Sequence, residues 1–141
     1  VAINGKTHRQ VTIYEVDNGK IKSMTFIEDT NPSEAPEAIV QTQLQAYNDR
    51  DIDAFMATYA EDIELFSFPD TLSKKGKLAM RNGYAGFFAA TPNLHCEIQN
   101  RIVIGNKVID EEKVTVNDGT LQAIAIYEVA DGRISKVTFI Q

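Results

Sequence analysis

The sequence holds one cysteine, two histidines, four prolines and no tryptophan among its 141 residues. Cys96 alone cannot close an internal disulfide, and its place in an alternating apolar stretch fits an inert core thiol. His8 and His95 lie far apart with no Cys/His spacing around them, a pattern that gives almost no support to a structural zinc site. There is no glycine-rich phosphate loop and no metal-ligand spacing, so neither a cofactor nor a metal is implied. Basic residues are the minority charge: fourteen face twenty acidic ones, for a net charge of -6. That balance opposes phosphate backbones and anionic lipid, so nucleic acid and membrane are not expected as partners. Neither an 18-residue apolar run nor a secretory-type apolar segment occurs, which makes a cytoplasmic location the expectation. What is present, 43% hydrophobic and 24% charged residues, suffices for one domain with its own core.

An internal repeat organises the chain. Ile13–Ile27 aligns with Ile126–Ile140 at an offset of 113 residues, without a gap. Ile13, Tyr14, Glu15, Val16, Gly19, Ile21, Thr25, Phe26 and Ile27 all meet identical residues, and the match runs back through Thr7/Thr120, Asn4/Asn117 and Val1/Val114. An offset of about one small domain makes residues 1–29 an extra β-hairpin, the tail of an earlier copy, ahead of a complete domain at 30–141. The first helix is expected to start with Asn31 or Ser33 as its cap and Pro32 or Glu34 in its first turn.

Within that domain Ile39, Val40, Leu44 and Tyr47 recur at helical spacing, as do Ile52, Phe55, Met56 and Tyr59 after an Asp51 cap. Glu64–Phe68 alternates as a short strand. Met80, Tyr84, Phe87 and Phe88 mark a third helix, ended by Thr91 and Pro92. Four strands follow, Leu94–Ile104, Val108–Val116, Thr120–Val129 and Arg133–Ile140, joined by Gly105-Asn106, Asp118-Gly119 and Asp131-Gly132. Such turns make an antiparallel meander. Helices first and a curled meander after predict an α+β fold, a cone-shaped antiparallel sheet wrapped around the helices with a cavity inside.

The runs AYNDRDIDAFMATYAEDIELFSFPD, LAMRNGYAGFF, LHCEIQNRIVIGNKVIDEEKV and AIAIYEVADGRISKVTFI resemble the SnoaL-like branch of the nuclear transport factor 2 superfamily, over the whole of Pro32–Gln141. The resemblance implies the cone fold; it does not imply one activity, since that superfamily holds isomerases, dehydratases, epoxide hydrolases, cyclases and assembly modules. Ketosteroid isomerases, the best-known relatives, need a carboxylate base and an oxyanion hole of a tyrosine and a protonated aspartic acid. Matched to this chain, those positions fall on Ser67, Gln43 and Ala125, so an active steroid isomerase is not expected. Two supporting tyrosines persist as Tyr59 and Tyr84. The sets implied by likeness to limonene epoxide hydrolase and scytalone dehydratase do not carry over, and His95 alternates with the polar side of its strand.

Period-two alternation places Asp110 and Glu112 between Val108, Val114 and Val116 on one strand face, their attachment points about 7 Å apart. In a cavity, desolvation and mutual repulsion would raise at least one pKa and leave the two as candidate general base and general acid. Their placement depends on register. A two-residue Gly105-Asn106 turn sets Arg101 opposite Asp110 and Gln99 opposite Glu112, a structural ion pair. A three-residue bulged turn sets Asn100 opposite Glu112 and turns Leu94, Cys96, Ile98, Asn100 and Ile102 inward, which the apolar alternation favours.

The candidate pocket is lined by Tyr59, Phe66 or Phe68, Tyr84 and Phe87, with Asn100 and Tyr127 from the sheet. Its ligand would be a modest, partly apolar molecule undergoing isomerase, dehydratase or hydrolase chemistry; a non-catalytic binding or assembly module is the alternative. Both faces of the strand carrying Ala123–Glu128 are partly apolar, so a homodimer through the outer sheet face is expected. The extra hairpin is expected to add to a sheet edge of its own domain or of a neighbouring subunit.

Overall fold

The computed structural model describes residues 2–3, 6–7, 9–28 and 35–141, with side chains from residue 9 onward. In chain order the elements are β1 Ala2–Ile3, β2 Lys6–Thr7, β3 Gln10–Asp17, β4 Lys20–Glu28, α1 Pro36–Asp49, α2 Ile52–Met56, β5 Tyr59–Ser67, β6 Thr71–Lys75, α3 Lys77–Ala90, β7 His95–Ile104, β8 Lys107–Val116, β9 Gly119–Ala130 and β10 Arg133–Ile140. No helix among them is long and apolar enough to cross a membrane.

Helix α1 buries Val40, Gln43 and Ala46 along one stripe. It starts at Pro36, a residue suited to a first turn, and not around Pro32; the expected caps Asn31 and Ser33 lie outside the described residues. Its end is set by Arg50, whose left-handed backbone (φ 52°) closes the last turn. Asn48 then fastens the helix to the edge of β7, accepting from the Cys96 N–H at 2.7 Å and donating to the Cys96 carbonyl at 3.1 Å. The Asp51 carboxylate caps α2 by accepting the Ala54 N–H at 3.1 Å. Asp51→Ala is expected to lower stability by about 1 kcal/mol, read as a shift in the urea midpoint at unchanged slope. Tyr59, placed by its spacing on the second helix, instead opens β5.

Six strands form one curved sheet in the order β6-β5-β10-β9-β8-β7. All neighbours are antiparallel except β5 and β10. The concave face carries Val108, Ala125, Tyr127, Val129, Ile134 and Val137, which pack with Val40, Phe55, Met80 and Phe88 of the helices as the main core. The α+β architecture thus matches the sequence reading. Strand β6 was not legible there, because TLSKK is exposed throughout and shows no alternation.

The hairpin β3–β4 is a sheet of its own; among the described residues it does not extend the six-stranded sheet, contrary to expectation for its own domain. It lies instead across the convex face, where Val11, Ile13 and Ile27 pack with Ile102, Ile104, Ile109, Ile124, Ile126 and Ile140. That outer face is apolar because both faces of the meander carry β-branched residues, and packing of Val11, Ile13 and Ile27 on it takes apolar surface out of water.

Candidate functional site

The concave face and the helices line a half-open cavity of about 400 Å³. Helices α1 and α3 contribute Gln43, Leu44, Tyr47, Tyr84 and Phe87 to its wall. The sheet contributes Tyr59, Leu65, Cys96, Glu112, Val114, Ala123, Tyr127 and Phe139, and the exposed Lys74, Leu121 and Gln141 also border it. Behind the helical wall, the buried Phe55 ring stands 4.9 to 6.0 Å from the rings of Tyr84, Tyr59, Phe88 and Tyr47. Edge-to-face and tilted packing of this kind fixes each ring and keeps the cavity from collapsing.

The two candidate carboxylates are separated by their partners. Asp110 is 1% exposed and takes a bidentate pair from Arg101, with Nε to Oδ1 at 2.7 Å and Nη2 to Oδ2 at 2.9 Å. Arg101 also donates to the Gln41 side chain on α1 at 2.8 Å. Asp110 is therefore a fastening between β7, β8 and α1 with both oxygens occupied, and it does not line the cavity. Glu112 does line it, 8% exposed, and accepts a hydrogen bond from the Tyr127 hydroxyl at 3.3 Å. Burial first, and then the Asp110 charge, push its carboxyl up to about 7; hydrogen bonds from Tyr127 and Cys96 and the Arg101 charge only partly offset this.

The surrounding hydroxyls are held neutral. Burial, followed by the Glu112 charge, pushes Tyr84 up to about 12 and Tyr127 well above its ordinary value. Burial, followed by the Tyr84 charge, raises Tyr59 and Tyr47 as well. Cys96 is pushed up by burial and then by Glu112, so its thiol is no nucleophile. The arrangement is one titrating carboxyl at neutral pH among neutral donors on an apolar wall.

Of the residues singled out from the sequence, the fold brings Tyr59, Tyr84, Phe87, Glu112 and Tyr127 together. Asn100 is exposed and lies away from the cavity. The turn is the two-residue form, with Ile104 opposite Lys107 and Arg101 opposite Asp110. A bulge at Gln99 then shifts the ladder so that Ile98, not Asn100, faces Glu112. Phe66 and Phe68 are likewise outside. Strand β5 begins at Tyr59 and turns Ile63 and Leu65 inward, which leaves Phe66 on the other face with the Lys136 amine 4.7 Å over its ring. Phe68 lies past the end of the strand. Gln43, matched in the sequence to the isomerase oxyanion position but left out of the expected lining, had a local signal as well: a polar residue on the apolar stripe of α1 between Val40 and Tyr47.

A family model for the SnoaL-like domain matches residues 40–137. No curated protein sequence matches the chain. Among solved structures, an uncharacterized cystatin-fold protein of Novosphingobium aromaticivorans is 26% identical with a TM-score of 0.70, over 77% of this chain and 100% of that one. A putative ketosteroid isomerase of Kribbella flavida is 19% identical at a TM-score of 0.65, over 73% and 74% of the two chains. A putative polyketide cyclase of Sinorhizobium meliloti is 21% identical at 0.63, over 72% and 93%. The last two likenesses are of fold. With the curved sheet, the three helices and the matched span together, the chain belongs to the SnoaL-like domain family of the nuclear transport factor 2-like, cystatin-type fold.

Proposed function

We propose that the cavity takes a small, largely apolar molecule and that Glu112 moves a proton on it, in acid–base chemistry of the isomerase or dehydratase kind. The observation that carries this reading is Glu112 itself, the one acidic side chain in the cavity wall among the described residues, held near pH 7 in its midpoint. A group that titrates near working pH is populated as base and as acid, which is what proton shuttling asks for. As carboxylate it takes a proton from carbon beside a carbonyl; the bonding electrons move onto the carbonyl oxygen, towards a neutral tyrosine hydroxyl such as that of Tyr84 or Tyr59. Return of the proton to another carbon restores the carboxylate, so the cycle needs no co-reactant. The positions matched to steroid-isomerase residues hold Gln43, Ala125 and Ser67, so the polar groups available here are different ones.

A second reading, binding without catalysis, draws on the Arg101 pair, which leaves Glu112 without a free carboxylate beside it. One screen separates the two. Small carbonyl compounds are tested for thermal stabilisation of the parent chain, of Ala123→Phe, which sets a ring in the cavity opposite Glu112, and of Glu112→Gln. A ligand at a hundred times its dissociation constant adds about 2.7 kcal/mol, and the effect should vanish in Ala123→Phe. Turnover of a hit should fall by about 100-fold or more in Glu112→Gln. Binding with no turnover in the parent supports the second reading, and equal turnover in parent and Glu112→Gln removes Glu112 from the chemistry.

A further inference from the structure

The two repeat copies fold alike to the level of single residues. Asn18-Gly19 and Asp131-Gly132 turn with the same positive φ values, 51° and 74° against 53° and 74°. Both ladders then break at the same place: Val16 pairs with Ile21 and Glu15 with Ser23, as Val129 pairs with Ile134 and Glu128 with Lys136. Corresponding faces can therefore be compared directly. Val11, Ile13 and Ile27 correspond to Ile124, Ile126 and Ile140, and all six belong to one apolar cluster on the convex side of the sheet. Equivalent faces of the two copies thus share one apolar cluster, together with Ile102, Ile104 and Ile109.

The opposite face is where the copies differ in surroundings. Tyr127, Val129, Ile134 and Val137 are 0 to 4% exposed, covered by the helices of the cone. Their counterparts Tyr14, Val16, Ile21 and Met24, with Phe26, are 52 to 66% exposed. An apolar face of this size left in water is a marker of an interaction site. The C-terminal copy shows what shape covers it: a helix across the face, an antiparallel strand beside the first strand of the hairpin and a parallel strand beside the second.

We propose that the exposed face of β3–β4 is the docking face for a second SnoaL-like cone front, a unit like residues 35–118 presented open where its own closing hairpin would lie. Its α1-like helix covers Tyr14, Val16 and Met24. Its β8-like strand pairs with the free edge of β3, and its β5-like strand runs parallel to β4. The result is two cones back to back, with hairpin packed on hairpin between them. A closed second copy of this chain offers no such opening, because its own β9–β10 fills it.

The test places a second copy of residues 30–113 ahead of the intact 141-residue chain, so that Val1 takes the position of Val114. Amide exchange across Val11–Ile27 should slow at least tenfold relative to the parent, towards the protection of Ile124–Ile140, and the helical circular-dichroism signal should roughly double. Tyr14→Glu with Phe26→Glu should abolish that protection in the extended chain while leaving the parent's thermal midpoint unchanged. Unchanged exchange, an added segment that stays unfolded, or equal loss of stability in both chains overturns the proposal. So does a concentration-dependent dimer of the parent that Tyr14→Glu dissolves, since a second closed copy would then be the occupant.

Discussion

Arg101→Met is expected to cost about 3–5 kcal/mol of folding stability, because it strands a buried carboxylate that water cannot reach. Asp110 is 1% exposed, and the Arg101 guanidinium satisfies both its oxygens. Removing both partners, Arg101→Met with Asp110→Leu, should recover most of the loss, since a buried pair and a well-packed apolar pair are often close in stability. Denaturant unfolding of the three chains measures this. A single variant as stable as the parent would mean that the pair is no fastening and that Asp110 is free for other work.

Glu112→Gln is expected to act in the opposite direction at alkaline pH. The folded chain holds the Glu112 proton up to about pH 7, while the unfolded chain releases it near the ordinary value of 4.5. In that window the folded state binds more protons, so the contribution of Glu112 is fully present below about 4.5 and is lost as pH rises through about 7. The loss amounts to about 3 kcal/mol. Glutamine keeps an acceptor for the Tyr127 hydroxyl and carries no charge to desolvate. At pH 4 the variant and the parent should unfold alike; by pH 8 the variant should be more stable by about 3 kcal/mol. Parallel stability curves from pH 4 to 8 would show that Glu112 titrates as an ordinary surface carboxyl. For any reaction in which Glu112 is the base, activity should rise through the same midpoint as the carboxylate forms.

Elements whose signals are local were legible in the sequence. The meander could be drawn from the turn residues at Gly105-Asn106, Asp118-Gly119 and Asp131-Gly132, although the middle turn sits one residue earlier than read, at Asn117-Asp118, with Asn117 in the left-handed region (φ 53°) and Gly119 already paired with Val116. The aromatic helical wall followed from the spacing of Tyr47, Phe55, Tyr84 and Phe88. The errors arose where one residue of register decides a side chain's face. A bulge at Gln99 lets the turn obey one register and Cys96 and Ile98 another, and no residue type marks such a shift. Asn100 lies on the turn side of that bulge, opposite Glu111, and so faces outward. Phe66 was misplaced for a related reason: the inward frame of β5 is fixed at its far end by Tyr59 and Ile63, while the aromatic residues catch the eye. The division of Asp110 from Glu112 follows the two-residue turn, the alternative in which the sequence set Arg101 opposite Asp110; apolar alternation favoured the bulged turn instead and so kept both carboxylates as candidates.

The most direct test of the account is the carboxyl carbon-13 NMR titration of Glu112 in the intact chain, assigned by its absence from the Glu112→Gln spectrum. The predicted midpoint is about 7, with a further shift when a cavity ligand is bound. A midpoint near 4.5 would contradict it, because a carboxylate that ionises as it does in water is not enclosed by the apolar wall on which the proposed chemistry depends.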